Sequence, residues 1–405
     1  MTLLAHSDVI HRCFRCGFCK LTYDYGAEGF NCPIYHRFRL ETYSPGGLMW
    51  LTRGCLIDHD LEWGPHLSHI LFSCTMCGNC AEQCRFDFKT HLLDIFRSVR
   101  EEAVETQRPL PPKVAQFLEN VYLYGNPYRE AKDVRSDWVE ELGVRRFSKG
   151  DEFLYYVGCV GSYDSRARKA AKALATLLLE AGVSFGILGS QEQCDGNEVK
   201  HLGESGLFEV LRDGNVRVFR DLGVKKIVTL SPHSYNAFKK DYPQEFEVCH
   251  YTQLLRDLIE QGRLKPGQQP QITVTYHDPC FLGRHNEEYD APREVLRALP
   301  GIDLVEMARY GKNAFCCGGG GGNFYTGISA SGRERASIAR VREAAATGAS
   351  VLAVACPICL TMLEDALKSE WLDESLVVKD ISEIAAESVK GHRAVVDPLR
   401  RSKGG

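Results

Sequence analysis

The period of the apolar positions changes near residue 150. Ahead of it the chain reads as helical. Between Phe88 and Glu105, Leu92, Ile95, Val99 and Ala103 fall at three- to four-residue steps, the spacing of one buried helix face. Pro109-Leu-Pro-Pro-Lys113 then breaks the chain. Beyond Asp151, short apolar runs of strand length take over. These are Phe153-Leu-Tyr-Tyr-Val157, Lys226-Ile-Val-Thr-Leu230, Ile272-Thr-Val-Thr-Tyr276 and Val351-Leu-Ala-Val-Ala355. They alternate with helical stretches, strongest over Ala167 to Ala181 and Ser329 to Thr347, as an α/β region does.

This second half repeats itself. Leu154-Tyr-Tyr-Val-Gly-Cys159 matches Val274-Thr-Tyr-His-Asp-Pro-Cys280, Cys194-Asp-Gly196 matches Cys316-Cys-Gly318, and Ser231-Pro-His-Ser234 matches Cys356-Pro-Ile-Cys359. The offsets are 121 (Cys159 to Cys280), 122 (Cys194 to Cys316) and 125 (Ser231 to Cys356). The pattern predicts an α+β multidomain chain: an all-α N-terminal domain over 1–108, a helical linker over 109–150, and two pseudo-symmetric α/β lobes over 151–265 and 266–405. Each lobe is expected to carry its cysteine positions at strand-to-helix turns, which meet between the lobes.

Composition narrows the function classes. A length of 405 residues suits two or three domains, and 44% apolar with 25% charged residues is ordinary for a globular protein. A net charge of −4 gives no footprint for nucleic acid. No apolar run approaches the roughly 18–20 residues of a membrane span. The start, Met1-Thr-Leu-Leu-Ala5, lacks the features of a signal peptide, so a reducing cytoplasmic location is expected. Close cysteine groups there point to metal or redox chemistry rather than disulfides.

Thirteen of the seventeen cysteines fall into three sets. Cys13-x2-Cys16-x2-Cys19 and Cys74-x2-Cys77-x2-Cys80 repeat the spacing of two-cluster ferredoxins, in which the fourth cysteine of each run ligates the other cluster. Two residues between thiolates let one tight loop set three sulfurs around a cube. The assignment is therefore Cys13, Cys16, Cys19 and Cys84 for one [4Fe–4S] cubane, and Cys74, Cys77, Cys80 and Cys32 for the second. Twelve residues separate Cys19 from Cys32 where three are usual, so Lys20 to Asn31 is an inserted loop, and Arg85 stands where proline often follows. Zinc also uses Cys-x2-Cys pairs, but it does not account for two triplets each with a partner. Arg12, Arg15, Lys20 and Arg85 flank these ligands as counter-charges or as a solvated rim, and Cys55 reads as a buried apolar thiol.

The third set is Cys280, Cys316-Cys317 and Cys356-x2-Cys359. With Arg15-Cys-Gly-Phe-Cys19, Asn31-Cys-Pro33, Glu41-Thr-Tyr-Ser-Pro-Gly46, His277-Asp-Pro-Cys280 and Cys316-Cys-Gly-Gly-Gly-Gly-Gly322, the chain resembles the catalytic iron–sulfur subunit of heterodisulfide reductase and its soluble relatives. In that family a ferredoxin-like domain precedes two cysteine-rich "CCG" domains. Gln191-Glu-Gln-Cys-Asp-Gly196 and Ser231-Pro-His-Ser234 are similar to members tied to electron-transfer flavoprotein, acyl-CoA redox or class II benzoyl-CoA reductase systems. The resemblance implies a non-cubane [4Fe–4S] cluster on Cys280, Cys316, Cys317, Cys356 and Cys359, with an ordinary cubane as the competing reading. In the first lobe Asp195, Ser231 and Ser234 replace three ligands. A mononuclear metal such as zinc on Cys159, Cys194, His233 and Cys249 (or His250), or no metal at all, is what remains there. Gly318 to Gly322 follows a cysteine pair, so it reads as close approach of backbone to a bulky cluster rather than a dinucleotide loop. His277 and Arg284 are the candidate catalytic residues, with Asp278 and His285 nearby, for proton supply or anion binding.

These features predict an electron-transfer subunit of a larger oxidoreductase, wired through two cubanes to a C-terminal cluster. Its partner is a flavoprotein, an electron-transfer flavoprotein, an acyl-CoA enzyme, or a quinone or thiol acceptor. Peripheral membrane association fits such a partner. The competing functions are direct cleavage of a heterodisulfide at the C-terminal cluster and a zinc-stabilised scaffold.

Overall fold

The computed structural model describes residues 3–22, 29–267, 270–329 and 334–389. Among these, every named element before Phe153 is helical. Leu92–Glu105 is the central helix of that part, and the four positions of its predicted face, Leu92, Ile95, Val99 and Ala103, are all buried. Pro112–Tyr124 follows the proline break with a proline in its first turn, where a missing N–H costs nothing. Residues 23–28 of the inserted loop lie outside the described residues; its two ends meet in an antiparallel bridge between Leu21 and Phe30.

Two four-stranded parallel sheets make up the rest. The strands are β1 (Phe153–Tyr156), β2 (Phe185–Gly186), β3 (Lys226–Thr229), β4 (Glu247–His250), β5 (Ile272–His277), β6 (Ile302–Val305), β7 (Val351–Val354) and β8 (Val377–Asp380). Their orders are β2-β1-β3-β4 and β6-β5-β7-β8, with Leu154 beside Ile227 in one register and Val274 beside Val351 in the other. The four runs expected from sequence are the central pair of each sheet. In this strand order the connection reverses direction between the central strands, and open parallel sheets bind ligands at the carboxyl ends of such a pair. Cys159 and Ser231 follow β1 and β3, and Cys280 and Cys356 follow β5 and β7.

The helix expected over Ser329 to Thr347 is Ala336–Ala345. Ser329 belongs instead to the preceding loop, where its hydroxyl donates to Asn323 Oδ1 at 2.9 Å, and residues 330–333 are outside the described set. One apolar core joins the N-terminal helices to the first lobe, and a second runs between the lobes through helices Ala167–Glu180 and Ile381–Ser388.

All three regions meet at Arg100. Its guanidinium is fully buried and donates to the carbonyls of Leu71 and Cys74 in the N-terminal part, of His201 (2.9 Å) in the first lobe, and of Gly321 (3.4 Å) in the second. Burial lowers its pKa, opposed in part by Cys74 and Glu198. Arg100→Met strands several buried acceptors at about 1–3 kcal/mol each. The expected outcome is a fall of about 3–6 °C in the melting temperature of the anaerobically prepared protein, followed by circular dichroism.

Candidate metal centres

Both N-terminal cysteine loops trace the same backbone. Arg15 (φ 58°) and Gly17 (φ 84°) in the first match Met76 (φ 52°) and Gly78 (φ 79°) in the second. A left-handed non-glycine residue is uncommon, and two at the same motif position indicate a turn imposed by the site rather than by local preference. The turn aims amides inward: Arg15 N–H faces Cys13, Met76 faces Cys74 and Asn79 faces Cys77.

The sulfur sets cross between runs. Cys13, Cys16, Cys19 and Cys84 line one cavity, with Gly46, Met49, Phe86 and Phe88 around it. Cys32, Cys74, Cys77 and Cys80 line another under Tyr43, Leu93 and Phe96. Cys16 is exposed, whereas Cys32, Cys77 and Cys80 are buried. Burial and then the charge of Cys32 push the Cys19 thiol up, and burial with neighbouring cysteines does the same at Cys80. Four thiols that oppose each other's ionisation in a cavity ringed by amides suit a cationic metal group, which deprotonates coordinating thiols.

The C-terminal five are gathered behind this second set. Cys280 follows β5, Cys316 and Cys317 lie on the loop after β6, Cys356 is the N-cap of helix Pro357–Ser369, and Cys359 is in its first turn. All five are 6% exposed or less. Cys316 Sγ and Cys280 Sγ are 4.0 Å apart, Cys317 Sγ and Cys359 Sγ 3.4 Å. The Gly318 amide donates to Cys316 Sγ at 3.3 Å. Cys77 of the N-terminal loop interacts with Cys316, and that contact, followed by burial, raises its pKa. Burial raises Cys356 as well, but Cys359 and His233 outweigh it and bring the thiol to about 5.

The first lobe keeps a cavity with only two thiols. Cys159, Cys194, Asp195, Ser231, His233 and Ser234 line it. Its polar groups pair among themselves. Ser234 donates to Asp195 Oδ2 at 2.7 Å, the Asn197 amide donates to Asp195 Oδ1 at 2.8 Å, and burial raises the Asp195 pKa. Cys159 Sγ faces both terminal nitrogens of Arg135 at 3.6 Å. Its pKa is lowered, first by Cys194 and then, against burial, by Arg135. Arg135 is held in turn by Glu192, whose Oε1 lies 2.5 Å from Nη2. Cys249 stands apart on β4, its thiol toward the Ile227 carbonyl at 3.7 Å, and His250 Nδ1 bonds Thr252 Oγ1 at 2.8 Å. The structure therefore brings Cys159, Cys194 and His233 to one cavity and leaves Cys249 and His250 outside it.

His233 turns toward the second lobe. Its Nδ1 is 2.6 Å from Glu198 Oε1, and the ring also interacts with Cys356. Burial lowers its pKa, but Glu198 and Cys356 together raise it well above the usual imidazole value. The other oxygen of Glu198 accepts the Gly322 amide. His277 is fully buried beside Cys317 and Cys359. Arg284 donates to the carbonyls of Cys77 (2.8 Å) and Ala314 (2.7 Å), and His285 Nε2 lies 2.8 Å from the Met76 carbonyl. Both therefore fasten the Cys74–Cys80 loop. Asp278 is taken by Arg293 at 2.6 and 3.0 Å.

The glycine run also packs against a second stretch of backbone. A Cβ on Gly320 would lie 2.6 Å from the Thr75 carbonyl oxygen, and one on Gly321 2.6 Å from that of Cys74. The close approach is to another stretch of backbone, the one carrying the second cubane set. Sequence reading also passed over Glu198, Arg135, Arg100 and Arg340. Only Glu198, four residues past Cys194, sits near a motif; the arginines lie in ordinary amphipathic segments.

Comparison with known proteins matches residues 9–88 to a 4Fe-4S dicluster domain, and residues 153–239 and 274–364 to the cysteine-rich domain. The chain is 38% identical over 333 residues to the probable iron-sulfur-binding oxidoreductase FadF of Bacillus subtilis, covering 79% of this chain and 47% of that protein. It is 36% identical over 332 residues to the EtfAB:quinone oxidoreductase of Syntrophomonas wolfei, covering 78% and 46%. The identity is 35% over 331 residues to a subunit of the dihydromethanophenazine:CoB--CoM heterodisulfide reductase of Methanosarcina mazei, covering 78% and 77%. The chain thus spans about half the length of the first two. A hypothetical protein from Helicobacter pylori shares the fold, with a TM-score of 0.53 at 10% identity over 88% of this chain and 70% of that one.

The crossed sets generate a specific expectation. Cys16→Ser and Cys84→Ser should abolish the same electron paramagnetic resonance signal, and Cys77→Ser and Cys32→Ser the other. If Cys84→Ser instead removed the signal lost in Cys77→Ser, the crossing would be wrong.

Proposed function

Because the chain belongs to the heterodisulfide-reductase-like family of iron–sulfur proteins with cysteine-rich domains, we propose that it is an electron-transfer subunit carrying electrons between a partner flavoprotein and a buried C-terminal centre. The observation that carries the reading is the contact of Cys77 with Cys316, which sets the second N-terminal set directly against the C-terminal one. At the other end, Cys16 brings the first set to the surface. Iron–sulfur clusters, when bound, take up and release electrons at potentials set by their surroundings.

The chain's own residues hold the sites in line and dry. Arg284 and His285 fix the Cys74–Cys80 loop on the second lobe, and Phe281 fills the space beside Cys77, Cys280 and Cys316. Residues 1–108, 151–265 and 266–405 act as the two-cluster domain, the lobe that has lost thiolates, and the lobe that holds the terminal cluster on its five cysteines. We assign that cluster the non-cubane form and the first lobe no cluster, since Asp195 and Ser234 pair with each other there and Arg135 faces the Cys159 thiol. The partner is an electron-transfer flavoprotein or another acyl-CoA redox enzyme, in keeping with the activity that the name of the Syntrophomonas relative states. Among the described residues no helix is long and apolar enough to cross a membrane.

Burial supports electron transfer over direct disulfide cleavage. Attack on a disulfide needs a sulfur open to the substrate, and all five C-terminal cysteines are covered. Anaerobically prepared protein should hold about twelve irons with matching labile sulfide, and a reduced flavoprotein should bleach its visible absorbance. Thiols and disulfides should leave the spectrum unchanged; zinc without iron would refute the reading.

A further inference from the structure

His277 occupies the last position of β5, three residues before Cys280, and three observations fix what it can do. First, Arg340 Nε lies 3.0 Å from His277 Nδ1. Guanidinium has no acceptor, so Nδ1 must offer its lone pair and the ring proton must sit on Nε2. Second, Arg340 cannot turn away. It is fully buried, and its Nη1 donates to the Arg309 carbonyl at 2.8 Å and to Glu343 Oε2 at 2.9 Å. Third, a ring nitrogen of His277, Cys317 Sγ and Cys359 Sγ lie within 4.8 Å of one another, while Nε2 is buried with no hydrogen-bond partner among the described residues.

Resting on the reading that these cysteines hold an iron–sulfur cluster, we infer that His277 is a fixed Nε2–H donor to the sulfurs of the C-terminal site, held in that tautomer by Arg340. A metal-ligating histidine shows the opposite arrangement: its second nitrogen donates to a carboxylate or carbonyl, which leaves the first nitrogen's lone pair for the metal. Here the second nitrogen meets a donor, so the free nitrogen carries hydrogen and is no ligand. His277 is therefore a positioning residue. An N–H directed at sulfur favours the more negative, reduced state and raises the potential of the site. The first lobe lacks the device, since Tyr156, at the corresponding strand position, donates its hydroxyl to the Gln193 carbonyl at 2.6 Å.

Redox titration of the holoprotein, followed by electron paramagnetic resonance, tests this. His277→Leu should keep the full iron count and both N-terminal signals. At fixed ambient potential, its ratio of reduced to oxidised C-terminal site should fall about tenfold, or about 59 mV for a one-electron couple. His277→Gln, whose amide keeps an N–H, should recover part of that shift. An unchanged potential in His277→Leu overturns the inference, and so does selective loss of the C-terminal iron, which would make His277 a ligand. A measurement on the unmutated chain guards against misfolding of the variants. With ¹⁵N-labelled histidine, pulsed resonance should show only the weak coupling of an N–H facing sulfur, and the strong coupling of a bound imidazole overturns the assignment. Wild-type protein with no iron at the five cysteines would strike the underlying reading instead, and the iron count separates the two failures.

Discussion

The arrangement depends on one seam of backbone against backbone. The loop of Cys74 to Cys80 lies so close to Gly320 and Gly321 that a single methyl group on either would meet a carbonyl oxygen. Arg100, Arg284, His285 and Asn323 lock the approach from four sides by satisfying carbonyls on both strips of chain. Proximity of Cys77 to Cys316 follows from this seam, and so does the continuity of the three sulfur sets. Unpaired carbonyls at such a contact would carry a heavy desolvation cost, which explains the number of long donors committed to it.

Much of the fold was legible because the central strands are largely buried and rich in β-branched and aromatic residues. β1, β3, β5 and β7 were found for that reason, and Leu92–Glu105 by its single buried stripe. β2, with two residues, is too short to leave a pattern. β4, β6 and β8 each carry exposed or half-exposed positions and polar residues such as Glu247, Asp303 and Lys379, which hide them from the same reading. The cysteine groupings were legible because ligand spacing is local. The second neighbour of the glycine run was not legible because it lies far away in sequence, and nothing near Gly320 indicates the Thr75 carbonyl. Arg100, Arg135 and Arg340 left no trace for a related reason: a buried cation held by carbonyls or a distant glutamate has no motif.

The two lobes share a strand order and a glycine after the cysteine position, yet their sites differ in what fills them. In the second lobe the sulfurs face one another. In the first, an arginine–glutamate pair and an aspartate–serine pair satisfy the polar groups of the cavity. The first lobe nonetheless serves the second, since His233 and Glu198 reach across to Cys356 and Gly322. One lobe is in this way part of the wall of the other.

The near-total burial of the five C-terminal cysteines imposes an order on maturation. A preformed cluster would find no entry to cysteines that are 6% exposed or less, packed behind a seam that admits no methyl group. Metal and sulfide bound there would have to arrive while the lobe is still open, with the helical part closing over them afterwards. The set nearest the surface, with Cys16 in solvent, is the one that would stay open to filling or repair once the chain has folded. Filling of the three sets would then run from the inside outward.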